Sequence, residues 1–312
     1  MSKKTEFEFL SGDGKTKIHA VKWEPESGDI KAVLQLCHGM VEYIERYEAL
    51  AEYLNAKGIL VAGHDHLGHG GSVTSQDEWG FFKEGSPSDT VVEDMHTMRM
   101  KVRELYPNVP YFIMGHSMGS YMLRKYLVLH GEGLDGAIIC GTGFIPASST
   151  KAAKKIVSVM AKFKGWHYRS KMVEKLTFGK SYKGFDMDGS VPENSWLTKD
   201  VNIVNTYYNE PRCTFRFTLN GYYGLFEAVE FACDKENAAK LRKDLPLFVI
   251  SGDKDPVGDL GVGVKKVYDM YQDAGVEDIT YKLYKDDRHE ICNELDKQTV
   301  FQDIFAWIIA RV

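Results

Sequence analysis

Short β-rich runs at residues 7–10 and 17–23 open the chain, and residues 33–37 (Val-Leu-Gln-Leu-Cys) read as a buried strand. Tyr47, Leu50, Ala51 and Leu54 recur at helical spacing, predicting a helix over 46–56 that Gly58 ends. A strand follows at 59–63. Ser88 is placed to cap a helix running to about Tyr106, with Pro107 just beyond. Strand 111–114, helix 118–130 and strand 134–140 continue the alternation. It lapses between Phe144 and Leu219, where 156–163, 172–178 and 196–208 are helix-like and aromatic. It resumes with strand 247–252, helix 264–274, strand 279–284 and a last helix near 299–311. Alternating strands and helices imply an α/β fold, a mostly parallel central sheet covered by helices on both faces. The middle segment, 145–219, then reads as an inserted, mainly helical cap. The core is expected from 1–144 and 220–312.

The chain has 312 residues, 44% hydrophobic and 27% charged, enough apolar material for a large buried core. A net charge of −5 gives no electrostatic case for nucleic acid. No apolar run approaches the ~18 residues that span a bilayer, so stable membrane insertion is not expected. The charged start of the chain, through Phe9, has no apolar stretch of the signal-peptide kind. Five scattered cysteines without a CxxC pair read as a reduced protein, and a cytoplasmic location is expected.

Chemistry concentrates at Gly115-His116-Ser117-Met118-Gly119, a G-x-S-x-G between a predicted strand and a predicted helix. That context describes a nucleophile elbow, a tight turn holding the serine hydroxyl above the sheet's carboxyl edge. Serine is a poor nucleophile until a base takes its proton. Of the ten histidines only His289 lies beyond His167, in the loop after the last predicted strand. An acid to orient it is expected after strand 247–252, where Asp253, Asp255 and Asp259 compete. Asp255, stiffened by Pro256, is preferred and Asp253 is the runner-up. Backbone N–H groups of Met118 and Met40 are expected as the oxyanion donors, with Gly39 allowing close approach. His64, His66 and His69 resemble a metal site, but no Glu or Cys stands at zinc-motif spacing. They read as a shaped loop beneath the site, with no metal and no cofactor. His116 beside the serine is not read as the base.

These residues, with His38-Gly39-Met40-Val41-Glu42, Arg46-Tyr47, residues 64–72 and Arg288-His289-Glu290, resemble the monoacylglycerol lipase and lysophospholipase group of α/β hydrolases. That domain family is also labelled serine aminopeptidase-like. The resemblance implies the α/β-hydrolase fold, a Ser117–His289–Asp255 triad supported by a G-x-x-D match at Gly252–Asp255, and oxyanion donors at Met40 and Met118. It also implies a cofactor-free carboxylic ester hydrolase acting on a small, lipid-like monoacyl ester. Phe144, Met160, Phe163, Trp196 and Phe217 are candidates to line an acyl site. The alternatives are a proline-type aminopeptidase or a thioesterase on the same triad. The aminopeptidase would need acids such as Glu174, Asp186, Asp188 and Glu193 to converge on a substrate amine. A non-catalytic ligand-binding receptor predicts a broken triad, whereas this one is intact.

Overall fold

In the computed structural model, which describes residues 3–26 and 28–312, the β-rich runs form one eight-stranded sheet. Its strands are β1 (Lys3–Leu10), β2 (Lys17–Glu24), β3 (Ala32–Cys37), β4 (Ile59–His64), β5 (Tyr111–His116), β6 (Gly136–Cys140), β7 (Leu247–Gly252) and β8 (Ile279–Tyr284). Their spatial order is β1-β2-β4-β3-β5-β6-β7-β8. The first two strands run antiparallel to their neighbours and the rest are parallel. Every residue of β3, β4, β5, β6 and β7 is buried, as expected for parallel strands covered on both faces. Met1, Ser2 and Ser27 lie outside the described residues.

The helices are α1 (Glu48–Asn55), α2 (Pro87–Leu105), α3 (Met118–His130), α4 (Ala147–Lys164), α5 (Lys171–Thr177), α6 (Val201–Asn209), α7 (Leu219–Ala232), α8 (Lys235–Ala238), α9 (Val262–Asp273) and α10 (Lys297–Ile309). Leu50 and Leu54 of α1 pack with Val300, Phe301, Ile304 and Trp307 of α10 on one face of the sheet. Helices α2, α3, α7 and α9 supply the apolar cluster on the other. Strands β6 and β7 pair directly, so the whole stretch 141–246 leaves the sheet and returns to the neighbouring position. Among the described residues its first half, up to α7, contains no strand, only an isolated bridge between Asp186 and Ser195.

Local chemistry moves some boundaries. Helix α2 begins at Pro87, whose fixed φ suits the first helical position, so Ser88 is not the cap but lies inside the helix and accepts Lys125 Nζ at 2.8 Å. Trp196 was expected in a helix. That helix starts only at Val201, because the Asp200 carboxylate caps the N–H groups of Asn202 and Ile203.

The approach of α3 to β3 is a tight constraint at the sheet's carboxyl edge. A Cβ on Gly119 would stand 2.2 Å from the Cys37 carbonyl oxygen and 2.4 Å from that of His38. Elsewhere a glycine-to-alanine change within a helix is favourable by up to ~1 kcal/mol. Here Gly119→Ala should destabilise by about 1–3 kcal/mol, the cost of overpacking a close contact. Urea unfolding of the folded variant measures this, and a gain in stability would contradict the packing described.

Candidate active site

Ser117 joins the end of β5 to the start of α3 with φ 53° and ψ −121°, a left-handed conformation rare for a residue with a side chain. Two glycines make the turn possible, since a Cβ on Gly115 would stand 2.4 Å from the Gly119 carbonyl. The Ser117 N–H donates to the Cys140 carbonyl at 3.0 Å, and the Ser120 hydroxyl to the Ser117 carbonyl at 2.6 Å. The serine side chain is thereby left on the wall of a cavity of about 460 Å³.

His289 reaches the same cavity from the loop after β8. Its Nδ1 lies 3.0 Å from Asp255 Oδ1, and both side chains are buried. Asp255 also accepts the Ser251 hydroxyl and the Val257 N–H, each at 2.8 Å. Burial alone would raise this carboxyl, but the facing imidazole and these two donors outweigh it and hold Asp255 below the usual carboxylate range. Asp253 instead accepts the Asp286 N–H at 2.9 Å as a turn residue. Asp259 accepts the Ser181 hydroxyl at 2.7 Å. Among the described residues the Ser117 hydroxyl makes no hydrogen bond to His289. The two groups share the cavity wall, an arrangement that often tightens only when substrate is bound.

Met40 and Met118 line the cavity beside the serine. Met118 is the first residue of α3, where an N–H has no partner within the helix. Gly39 permits the approach of the Met40 loop, since its Cβ would fall 3.0 Å from that of Ser117. The next residue, Val41, is left-handed at φ 58°, an outlier for a β-branched side chain. The Tyr207 hydroxyl donates to its carbonyl at 3.0 Å.

Beneath this loop lies a buried charge network that sequence reading did not reveal. Glu42 accepts the Gly39 N–H at 2.5 Å and the Tyr47 hydroxyl at 3.0 Å. Arg46 joins Glu42 at 2.7 Å to both carboxylate oxygens of Glu290 at 2.7 and 2.6 Å. His116 lies 3.2 Å from Glu42 through Nδ1 and 3.2 Å from the His289 carbonyl through Nε2. Burial lowers the affinity of His116 for a proton, but the hydrogen bond and charge of Glu42 prevail and push it up to about 9. Glu42 is held well below the ordinary carboxylate range by His116 and Arg46 despite its burial.

Segment 195–199 of the expected cap is strapped onto the histidine loop. Trp196 stacks on His289 with ring centroids 5.1 Å apart, and the Leu197 carbonyl accepts the Glu290 N–H at 2.7 Å. Phe144 and Trp196 line the cavity with Leu176, Phe178, Tyr182 and Phe226. Met160, Phe163 and Phe217 do not, which corrects the expected lining. Phe163 is 82% exposed, because α4 turns Val157 and Ala161 inward instead. Phe217 is consumed in packing against His69, Phe82 and Tyr222. Among the described residues no three histidines, cysteines or acids are arranged to hold a metal ion, and no helix is long and apolar enough to cross a membrane. All five cysteines are free and buried.

Comparison with known proteins fits this geometry. The family described as serine aminopeptidase, S33, matches residues 28–296. The chain belongs to this family of α/β hydrolases. A monoacylglycerol lipase of Mycolicibacterium smegmatis is 26% identical, over 100% of this chain and 99% of that one. The monoglyceride lipase of Mus musculus is 25% identical over 93% of this chain and 86% of its own. A thermostable carboxyl esterase from Bacillus coagulans, solved with glycerol, superimposes with a TM-score of 0.90 at 31% identity, covering 99% of both chains. The protein is a serine hydrolase of the monoglyceride lipase and esterase type.

The buried pair gives this hydrolase a testable pH dependence. His116 is raised from 6.5 to about 9, so its contribution to stability is complete below pH 6.5 and is lost as pH rises through about 9. In Glu42→Gln the remaining burial should bring His116 back toward or below its ordinary value. Histidine NMR titration should follow that fall, and denaturant midpoints between pH 6.5 and 9 should flatten in the variant. A His116 that stays protonated through this range without Glu42 would contradict the pairing.

Proposed function

We propose that this hydrolase cleaves carboxylic esters bearing one acyl chain, through an acyl-enzyme on Ser117. The observation that carries the reading is the buried His289–Asp255 pair at 3.0 Å, opening on the cavity that also holds a left-handed Ser117. In this mechanism Ser117 Oγ attacks the ester carbonyl carbon while its proton passes to His289 Nε2. Asp255 fixes the tautomer through Nδ1 and stabilises the imidazolium. The carbonyl oxygen becomes an oxyanion held by the N–H groups of Met40 and Met118. His289 then protonates the departing alkoxide. Water, deprotonated by His289, attacks the acyl-enzyme, and the acid leaves as Ser117 recovers its proton.

The substrate reading rests on the wall and on the relatives. Phe144, Leu176, Phe178, Trp196, Leu225 and Phe226 form an apolar wall suited to an acyl chain, and the similar proteins of Mycolicibacterium smegmatis and Mus musculus are lipases of monoacylglycerol. We take 145–219 as a cap over the site, with 1–144 and 220–312 as the core. The aminopeptidase alternative has less support. Glu174 is paired with Arg216, Asp186 holds a turn through the Gly189 N–H, and none of Glu174, Asp186, Asp188 and Glu193 lines the cavity.

A fluorophosphonate probe should label the chain at Ser117 alone, and Ser117→Ala should abolish labelling and turnover. Asp255→Asn should lower kcat by on the order of 10⁴, and Asp253→Asn far less. The reverse ranking would remove Asp255 from the triad. Across glycerol esters of increasing acyl length, kcat/KM should rise and then level off, since each buried methylene adds ~0.8 kcal/mol until the wall is filled. A flat ester profile with efficient cleavage of N-terminal prolyl amides would transfer the assignment to the aminopeptidase branch.

A further inference from the structure

We propose that His38 is a positioning residue for the oxyanion site, holding the Gly39 carbonyl and so aiming the N–H of the same peptide, that of Met40, at the reacting group. The inference deepens the reading above, because it rests on the Met40 N–H being an oxyanion donor.

His38 follows β3, is wholly buried, and makes two hydrogen bonds. Nδ1 lies 2.8 Å from the Gly39 carbonyl, and Nε2 lies 2.8 Å from the His66 N–H. A carbonyl oxygen only accepts, so Nδ1 carries the proton. A backbone N–H only donates, so Nε2 is bare. Both contacts therefore select one neutral tautomer.

The consequence runs through the peptide plane. The Gly39–Met40 bond is trans, as no cis peptide occurs among the described residues. In a planar trans peptide the C=O and the following N–H point in opposite directions. A carbonyl drawn toward the His38 ring turns the Met40 N–H away from it, to the side where Met40 and Ser117 line the cavity. Glu42 fixes the preceding peptide by accepting the Gly39 N–H at 2.5 Å, and Tyr207 fixes the Val41–Glu42 peptide, two further on, through the Val41 carbonyl at 3.0 Å. Three side chains thus hold three of the four peptide groups between His38 and Glu42, and His38 holds the one that bears the donor.

The histidines read from sequence as a shaped loop supply the other half of the clamp. The His66 and His69 rings lie 4.4 and 5.1 Å from His38 between centroids. All three rings are buried, and neither His66 nor His69 presents a carboxylate partner. His66 contributes the backbone N–H that keeps Nε2 bare, and a second proton on His38 would break that bond.

The test uses two substitutions of nearly the same size. Asparagine places an amide N–H where Nδ1 stands and can still donate to Gly39. Glutamine places an acceptor where Nε2 stands and can serve only His66. With a soluble p-nitrophenyl ester, His38→Gln and His38→Ala should each lower kcat by about 10²-fold, the scale of one oxyanion donor, with KM changed less than about threefold. His38→Asn should recover to within about tenfold of the parent. Affinity for an alkyl boronic acid should follow kcat across the series. Thermal unfolding identifies any variant that fails to fold, and the asparagine–glutamine comparison stands without the alanine. Wild-type kcat in folded His38→Gln, or rescue by glutamine rather than asparagine, would overturn the proposal. A crystal structure of the Ser117 phosphonate adduct separates the two levels. If its oxyanion points away from the Met40 N–H, the oxyanion reading fails and this inference with it. If it meets that N–H while His38→Gln retains wild-type kcat, only the inference fails.

Discussion

The close approach of α3 to β3 is the contact on which the site depends. Helix and strand meet backbone to backbone at Gly119, with no room for a Cβ beside the Cys37 and His38 carbonyls. That approach forces the turn between β5 and α3 to be sharp enough to put Ser117 at a positive φ. It also brings the residues after β3, Gly39 and Met40, within reach of the serine. Strain at one residue is tolerable because the contact beneath is over-determined: the serine's own N–H and carbonyl are both hydrogen-bonded.

The loop carrying Met40 needs a second kind of support, because nothing regular continues it after β3. That support is ionic. Removing four charged groups from water is expensive, and the arrangement is tolerable only because every charge faces an opposite one at hydrogen-bond distance. Arg46 is bidentate to Glu290 and also holds Glu42, and its guanidinium packs 4.9 Å over the Tyr207 ring. Glu290 adjoins His289, so the same arginine couples the Met40 loop to the histidine loop. Segment 195–199 enters through Trp196 and Leu197, which means that part of the cavity wall and the surroundings of the histidine are set by one strap.

What could be read from the sequence was whatever depends on near neighbours. The elbow is written in five consecutive residues, and the alternation of buried strands and amphipathic helices names the layers. His289 stood out because no other histidine follows His167. The choice between Asp255 and Asp253 turned on which carboxylate points inward, and a loop has no periodicity to decide that. The facing of the helices in 145–219 was illegible for a related reason. Helix α4 carries two apolar stripes, with Val157 and Ala161 buried and Ile156, Val159 and Phe163 exposed, and helical spacing alone cannot rank them. The Glu42–Arg46–Glu290 network spans almost the whole chain, so its members look like ordinary surface charges until the fold brings them together.

The two groups of histidines near the Met40 loop show how burial and charge divide the work. His64 and His69 are pushed down to about 3, chiefly by burial. His116 is pushed up to about 9, because Glu42 faces it and overcomes the same burial. One group is therefore neutral and the other charged across the whole range in which an ordinary histidine titrates. The charges of Glu42, Glu290, Arg46 and His116 sum to zero, so the network that holds the loop adds no net charge beside the place where the proposed mechanism puts negative charge on a substrate. A lone carboxylate supporting the Gly39 N–H would oppose that charge through a low-dielectric interior. Balanced by its two cationic partners, it can hold the backbone without working against the proposed donors.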